Sequence, residues 1–178
     1  MIRTTLAQAY LKRSIRPLYW YTQATPVNAY LDPAFDRTVD IYPGMVAMRN
    51  GPDQVTLADA TGYPYGLFGN FIGGYDIDEL LDAGVNACAV WMLGNDAVFE
   101  VDAPAFDEDD DGWVDPTDGT EVMVHYWAVG TGRGRLVPAG ATKSNHTIST
   151  LPVARLIKVN SANTITIGGL QARLPKLS

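Results

Sequence analysis

The chain has 178 residues, which suits one domain, or one domain and an arm, and excludes a multidomain enzyme. Hydrophobic residues make up 47% and charged residues 19%, enough apolar side chain for a packed core and no composition for wholesale disorder. The net charge of -7 argues against nucleic-acid binding, because neutralising phosphates needs a basic face.

With 17 glycines, 11 prolines and 9 tyrosines, the composition favours short strands joined by turns over long helices. Residues 1–36 read as an N-terminal arm. The run TTLAQAYLKRS suits a short helix capped by Thr4 or Thr5, too short to be stable alone. After Pro17 come Leu18, Tyr19, Trp20 and Tyr21, then Pro26, Tyr30 and Pro33, a proline-punctuated stretch that resists both helix and central strand. Its aromatic and arginine content suits an interface, with Arg13, Arg16, Tyr19, Trp20 and Tyr21 as the expected contact residues. The alternative is that this segment wraps its own domain and buries its rings there.

The body, 37–178, reads as a succession of strands. Residues 39–49 and 54–58 flank Asn50-Gly51-Pro52-Asp53 and predict a hairpin. The passage GYPYGLFGNFIGG has glycines too irregularly spaced for a phosphate loop and implies turns. Residues 76–82, DIDELLD, predict one short helix, with acids at the start and Gly84 just past the end. Residues 87–93 and 97–101 around Gly94-Asn95-Asp96 predict a second hairpin. Residues 121–129, EVMVHYWAV, are apolar on both faces and predict a long central strand. Residues 130–135, GTGRGR, read as a loop, since no third glycine or helix follows in dinucleotide-binding register. Residues 151–159 and 164–167 predict a last hairpin. The fold class is all-β, a small β-barrel or β-sandwich with one short helix and an extended arm.

All 20 acidic residues lie between Asp32 and Glu121, a stretch whose only basic residues are Arg37 and Arg49. Arg3, Lys12, Arg13 and Arg16 precede it, and Arg133, Arg135, Lys143, Arg155, Lys158, Arg173 and Lys176 follow it, with no acid in either flank. Such asymmetry marks either an arm that docks on an oppositely charged partner or a fold in which ends and middle pair internally. The single cysteine, Cys88, excludes an intramolecular disulfide and reads as a small buried hydrophobe. No apolar run suits a signal peptide or reaches the ~20 residues of a membrane span, so neither membrane contact nor export is expected and synthesis is cytoplasmic.

The most specific local signal is DEDDDGWVDPTD, residues 107–118. Asp107, Asp109, Asp111, Asp115 and Asp118 stand at the oxygen-ligand positions of a calcium loop, Gly112 at its sharp bend, and the Trp113 carbonyl at its backbone-ligand position. Calcium, a hard cation wanting six to eight oxygens, is therefore the candidate cofactor. Asp118 replaces the usual bidentate glutamate, and the flanks lack paired helices. The competing reading is a solvated acidic loop. Catalysis finds little support: His125 and His146 stand with no nucleophile elbow, His125 reads as a packed histidine, and two histidines with one cysteine do not make a zinc site. No carboxylate pair stands out.

Three passages together resemble the head decoration, or cement, proteins of tailed bacteriophages. They are IYPGMVAMRNGPDQVTLADATGYPYGLFGNF, the strand-rich middle, and LPVARLIKVNSANTITIGGLQARL, and the similarity spans residues 39–174. The resemblance implies a non-enzymatic virion protein that sits on the outer capsid surface and bridges capsomers through a small barrel and an extended arm. Its expected partners are the major capsid protein and further copies of itself. The acidic loop has no counterpart in that pattern. Two alternatives are another virion part, a head-tail connector or tail protein, and a calcium-dependent carbohydrate-binding module with Trp91, Trp113 and Trp127 as stacking platforms.

Overall fold

The computed structural model describes residues 15–17, 26–36, 38–73, 87–93, 97–116, 120–161 and 163–170, and every regular element among them is a strand. In chain order these are β1 (Arg16–Pro17), β2 (Pro26–Leu31), β3 (Val46–Arg49), β4 (Gln54–Leu57), β5 (Pro64–Phe68), β6 (Ala87–Trp91), β7 (Val98–Asp102), β8 (Met123–Val129), β9 (Leu136–Pro138), β10 (Thr147–Ile148), β11 (Ala154–Ser161) and β12 (Thr164–Gly169). The all-β class holds. The helix expected over 76–82 and the helical run in the N-terminal segment lie outside the described residues.

Two layers form. Strands β2-β4-β3-β5-β6 close a barrel, and β1-β7-β12-β11-β8-β10 form a sheet with β9 alongside β8. The barrel closes because β2 runs antiparallel to β6, from Pro26↔Trp91 to Tyr30↔Ala87, and parallel to β4 at Tyr30↔Gln54 and Leu31↔Val55. The expected β3–β4 hairpin forms, with Ala47 opposite Leu57 and Arg49 opposite Val55. So does the last hairpin, β11–β12, from Ala154↔Gly169 to Ser161↔Thr164. β8 is flanked on both sides, Val124 pairing with Pro138 of β9 and Ala154 of β11, as its two apolar faces require.

Two expectations are corrected. Residues 26–31, read as part of the arm, are a barrel strand. Pro26 stands at its first position, where a strand tolerates proline, and buried Ala29 and Leu31 alternate with exposed Asn28 and Tyr30. Residues 87–93 and 97–101 do not pair as a hairpin: β6 belongs to the barrel and β7 to the sheet. Trp91 of β6 meets Phe99 of β7 edge-on at 6.0 Å where the two layers touch.

The layers share one core. Leu31, Val46, Leu57, Phe68 and Val90 of the barrel join Phe99, Val101, Val124, Leu156, Ile165 and Ile167 of the sheet in a single buried cluster. Burying such a side chain stabilises by about 1.5–3 kcal/mol. Close approach of backbone keeps the layers together: Gly44, at φ 108°, sits where a Cβ would lie 2.6 Å from Val101 Cγ1. Val46 N donates to Gly134 O at 2.7 Å, and the Tyr126 hydroxyl of β8 donates to Asp59 O beyond β4 at 3.2 Å.

The acidic segment that follows β7 is fastened to the sheet at Asp107. Its backbone N donates to Leu136 O at 2.9 Å. Its buried carboxylate accepts hydrogen bonds at Oδ2 from Trp127 Nε1 at 2.9 Å and Lys143 Nζ at 2.7 Å. Burial by itself raises the Asp107 carboxyl. The hydrogen bonds from Lys143 and Trp127, and then the charges of Lys143 and Arg135, outweigh burial and hold it below the ordinary carboxylate range.

Two outcomes follow. Asp107→Ala removes the acceptor of a buried indole N–H and is expected to destabilise the protein by about 1–3 kcal/mol in urea unfolding at neutral pH. Because the folded carboxyl is held below its unfolded value of ~3.9, its contribution is complete above that range and disappears as pH falls through the folded value. The stability difference between the native chain and Asp107→Ala therefore narrows below about pH 4, measured by urea unfolding at stepped pH. Burial also pushes the Cys88 thiol of β6 up to about 11, so a thiol reagent at neutral pH is expected to label Cys88 only upon unfolding.

Candidate functional site

Beyond Asp107 the acidic loop folds back over the β11–β12 hairpin. Trp113 wedges it: the indole Nε1 donates to Asp107 O at 2.7 Å, and the ring packs edge-on against Phe106 at 5.4 Å. Asp110 Oδ1 accepts from Gly112 N at 2.8 Å, an Asx turn that forms the bend. Asp115 Oδ1 accepts from Val159 N of β11 at 2.5 Å and clamps the far end of the loop to the sheet. The result is a cleft of about 260 Å³ lined by Phe106, Glu108, Asp110, Asp111, Trp113, Val159, Ser161 and Ile165.

The carboxylates expected as calcium ligands thus have separate positions. Asp107 turns inward to Trp127 and Lys143, Asp115 turns to β11, Asp109 and Asp111 are exposed, and Asp118 lies outside the described residues. No group of three or more His, Cys, Asp or Glu able to hold a metal occurs among the described residues. The spacing of the motif registers which residues alternate along the chain. It carries no signal for a lysine 36 residues away or an indole 20 residues away, and the tether was not anticipated.

Of the five expected contact residues, Arg13, Tyr19, Trp20 and Tyr21 lie outside the described residues. Arg16 is in β1, its backbone paired with Glu100 of β7, and Pro17 is opposite Phe99. Ile15 beside them is buried. At residues 15–17 the N-terminal segment is therefore a strand on the edge of its own sheet. Between described residues two ion pairs form, Lys143–Asp107 at 2.7 Å and Arg155–Glu121 at 3.8 Å. Glu108, Asp109 and Asp111 are exposed, and Glu108 and Asp111 line the mouth of the cleft.

The remaining candidates have packing roles. His125 Nδ1 lies 2.9 Å from Ser149 O and 3.3 Å from the Ser149 hydroxyl, and that hydroxyl gives its proton to Leu151 O at 2.9 Å. His146 packs edge-on against Trp127 at 5.0 Å, with its ring nitrogens at Ser144 O and Thr131 O. Trp127 is 1% exposed and Trp91 packs against the core, so these two rings offer no platform for a sugar. The 130–135 segment is a run of turns, as expected, with Gly130, Gly132 and Gly134 at positive φ.

No curated protein matches the chain. A family model described as phage cement protein matches residues 1–175, a span that takes in the barrel, the sheet and the segment leading into β1. The resemblance read from the strand rhythm is thereby shown, and with it a structural, capsid-associated place in the virion: the chain belongs to the phage cement protein family.

Proposed function

We propose that the protein binds the outer surface of a phage capsid, with the major capsid protein as its partner, and stabilises the shell by bridging neighbouring capsomers. The observation that carries this reading is the pairing of Arg16 and Pro17 with β7, beside a buried Ile15. It divides the N-terminal region into two parts with different roles. Residues 1–14, with Arg3, Lys12 and Arg13 and no acid, precede the anchor in the sequence and are assigned the contact with a neighbouring capsomer. Residues 18–25, with Tyr19, Trp20 and Tyr21, stand between β1 and β2 in the sequence and supply the aromatic side chains of the proposed contact.

This arrangement suits a bracing protein. A segment that orders on contact contributes interface area while the core of the body needs no rearrangement. Arginine and large aromatic side chains are the residue types that concentrate binding energy at the centre of an interface. The basic leader complements an acidic shell surface, whereas the exposed Glu108, Asp109 and Asp111 repel one. Catalysis has no place in the reading, and the closed barrel leaves its strands without free edges for unplanned pairing.

Co-sedimentation with purified shells tests the proposal. A chain lacking residues 1–14 but keeping Ile15 and β1 is expected to melt as the full chain does and to lose shell attachment. Trp20→Ala is expected to weaken attachment by about 2 kcal/mol. Electron microscopy of shells decorated with the full chain is expected to place its density across junctions between capsomers. Undiminished binding by the truncated chain, or density confined to the tail vertex, overturns the proposal.

A further inference from the structure

The β3–β4 turn carries chemistry that the capsid role does not use. Asn50-Gly51 is the one Asn-Gly dipeptide in the sequence. Both residues are exposed. Gly51 adopts φ 127° and presents a backbone nitrogen unhindered by any Cβ. Its N–H donates to no described residue, whereas Asn50 N donates to Gln54 O at 2.9 Å and Arg49 Nε donates to Gly51 O at 3.2 Å. The nitrogen that can reach the Asn50 side-chain carbonyl carbon is therefore the unengaged, water-accessible group of the turn.

The other end of the Asn50 side chain is structural. Nδ2 donates to Oδ2 of Asp32, a residue 9% exposed at the end of β2, whose Oδ1 accepts from Ala34 N at 2.8 Å. This contact lies beside the parallel β2–β4 seam that closes the barrel, where only Tyr30↔Gln54 and Leu31↔Val55 are in register. Tyr30 N to Asp53 O and Asp32 N to Val55 O complete the seam, at 2.8 and 2.9 Å. The Asn50 amide thus latches the turn to β2 with a hydrogen bond to a nearly buried carboxylate.

We propose that Asn50 is a site of spontaneous deamidation and that the product unlatches this seam. The Gly51 nitrogen forms a bond to Asn50 Cγ, the Cγ–Nδ2 bond breaks, and ammonia leaves with the proton given up by the Gly51 amide. Water then adds to one of the two carbonyls of the resulting cyclic imide and opens it to aspartate or isoaspartate. No oxidant or reductant is needed. Either product replaces an amide donor by a carboxylate that only accepts, and sets it against Asp32. A hydrogen bond becomes a repulsion between like charges, one of them on the nearly buried Asp32.

The test incubates the native full chain in mildly alkaline buffer and follows each asparagine by peptide mass spectrometry with isoaspartate-specific labelling. Asn50 is expected to convert several-fold faster than any other asparagine, gaining the mass of an OH-for-NH2 exchange, and to convert more slowly in mildly acidic buffer, where the attacking nitrogen keeps its proton. Conversion no faster than at the other asparagines overturns the site. The consequence is read separately by melting. Asn50→Ala removes the donor alone, and Asn50→Asp removes it and adds the charge. Asn50→Asp is expected to melt about 2–4 °C below Asn50→Ala, and equal melting temperatures overturn the unlatching.

Discussion

A carboxylate taken out of water has to be compensated where it sits, and Asp107 is compensated by two donors that reach it from different parts of the sheet. Trp127 comes from the middle of β8 and Lys143 from the loop after β9. Because both converge on one oxygen, the start of the acidic segment, β8 and the 139–146 loop are located relative to one another by a single charged group. A buried charge with a missing partner is far more costly than a missing apolar contact, so this arrangement tolerates little displacement. Everything the acidic loop does next depends on that starting point. The Trp113 ring can reach the Asp107 carbonyl, and Asp115 can reach β11, only because residue 107 is held against the sheet.

The same economy of contact joins the two layers. A small barrel and an open sheet each have a core too thin to be stable alone, and here the cores are one. That continuity explains why the connections between layers are made of close backbone approaches, such as Gly44 against Val101 and Val46 N to Gly134 O. The sheet also accepts the N-terminal segment. β1 contributes only two residues, yet Ile15 is carried into the core beside it.

Several elements were legible in the residues because their signals are local. The β3–β4 and β11–β12 hairpins announce themselves through turn residues set between short apolar runs, and β8 through apolar residues on both faces. The GTGRGR turns follow from glycine spacing. The misreadings share a cause. Residues 87–93 and 97–101 have strand pattern and a turn between them, but the same pattern suits two strands that pass into different sheets, and only their partners decide between these. Residues 26–31 have a period-two pattern compressed between two prolines, too short to outweigh the prolines when read alone.

The chemistry divides along the same line. By itself the sequence determined that the protein is all-β, that its acids and bases are segregated along the chain, and that its strand rhythm is that of phage cement proteins. These are properties of composition and of neighbours within a few residues. The tertiary structure alone decided that Asp107 is a buried tether, that Asp115 serves β11, that Asn50 latches the barrel seam, and that Arg16 and Pro17 pair with β7 at the edge of the sheet. Each of these depends on a partner far away in sequence, and a side chain's chemistry is set by what the fold places opposite it.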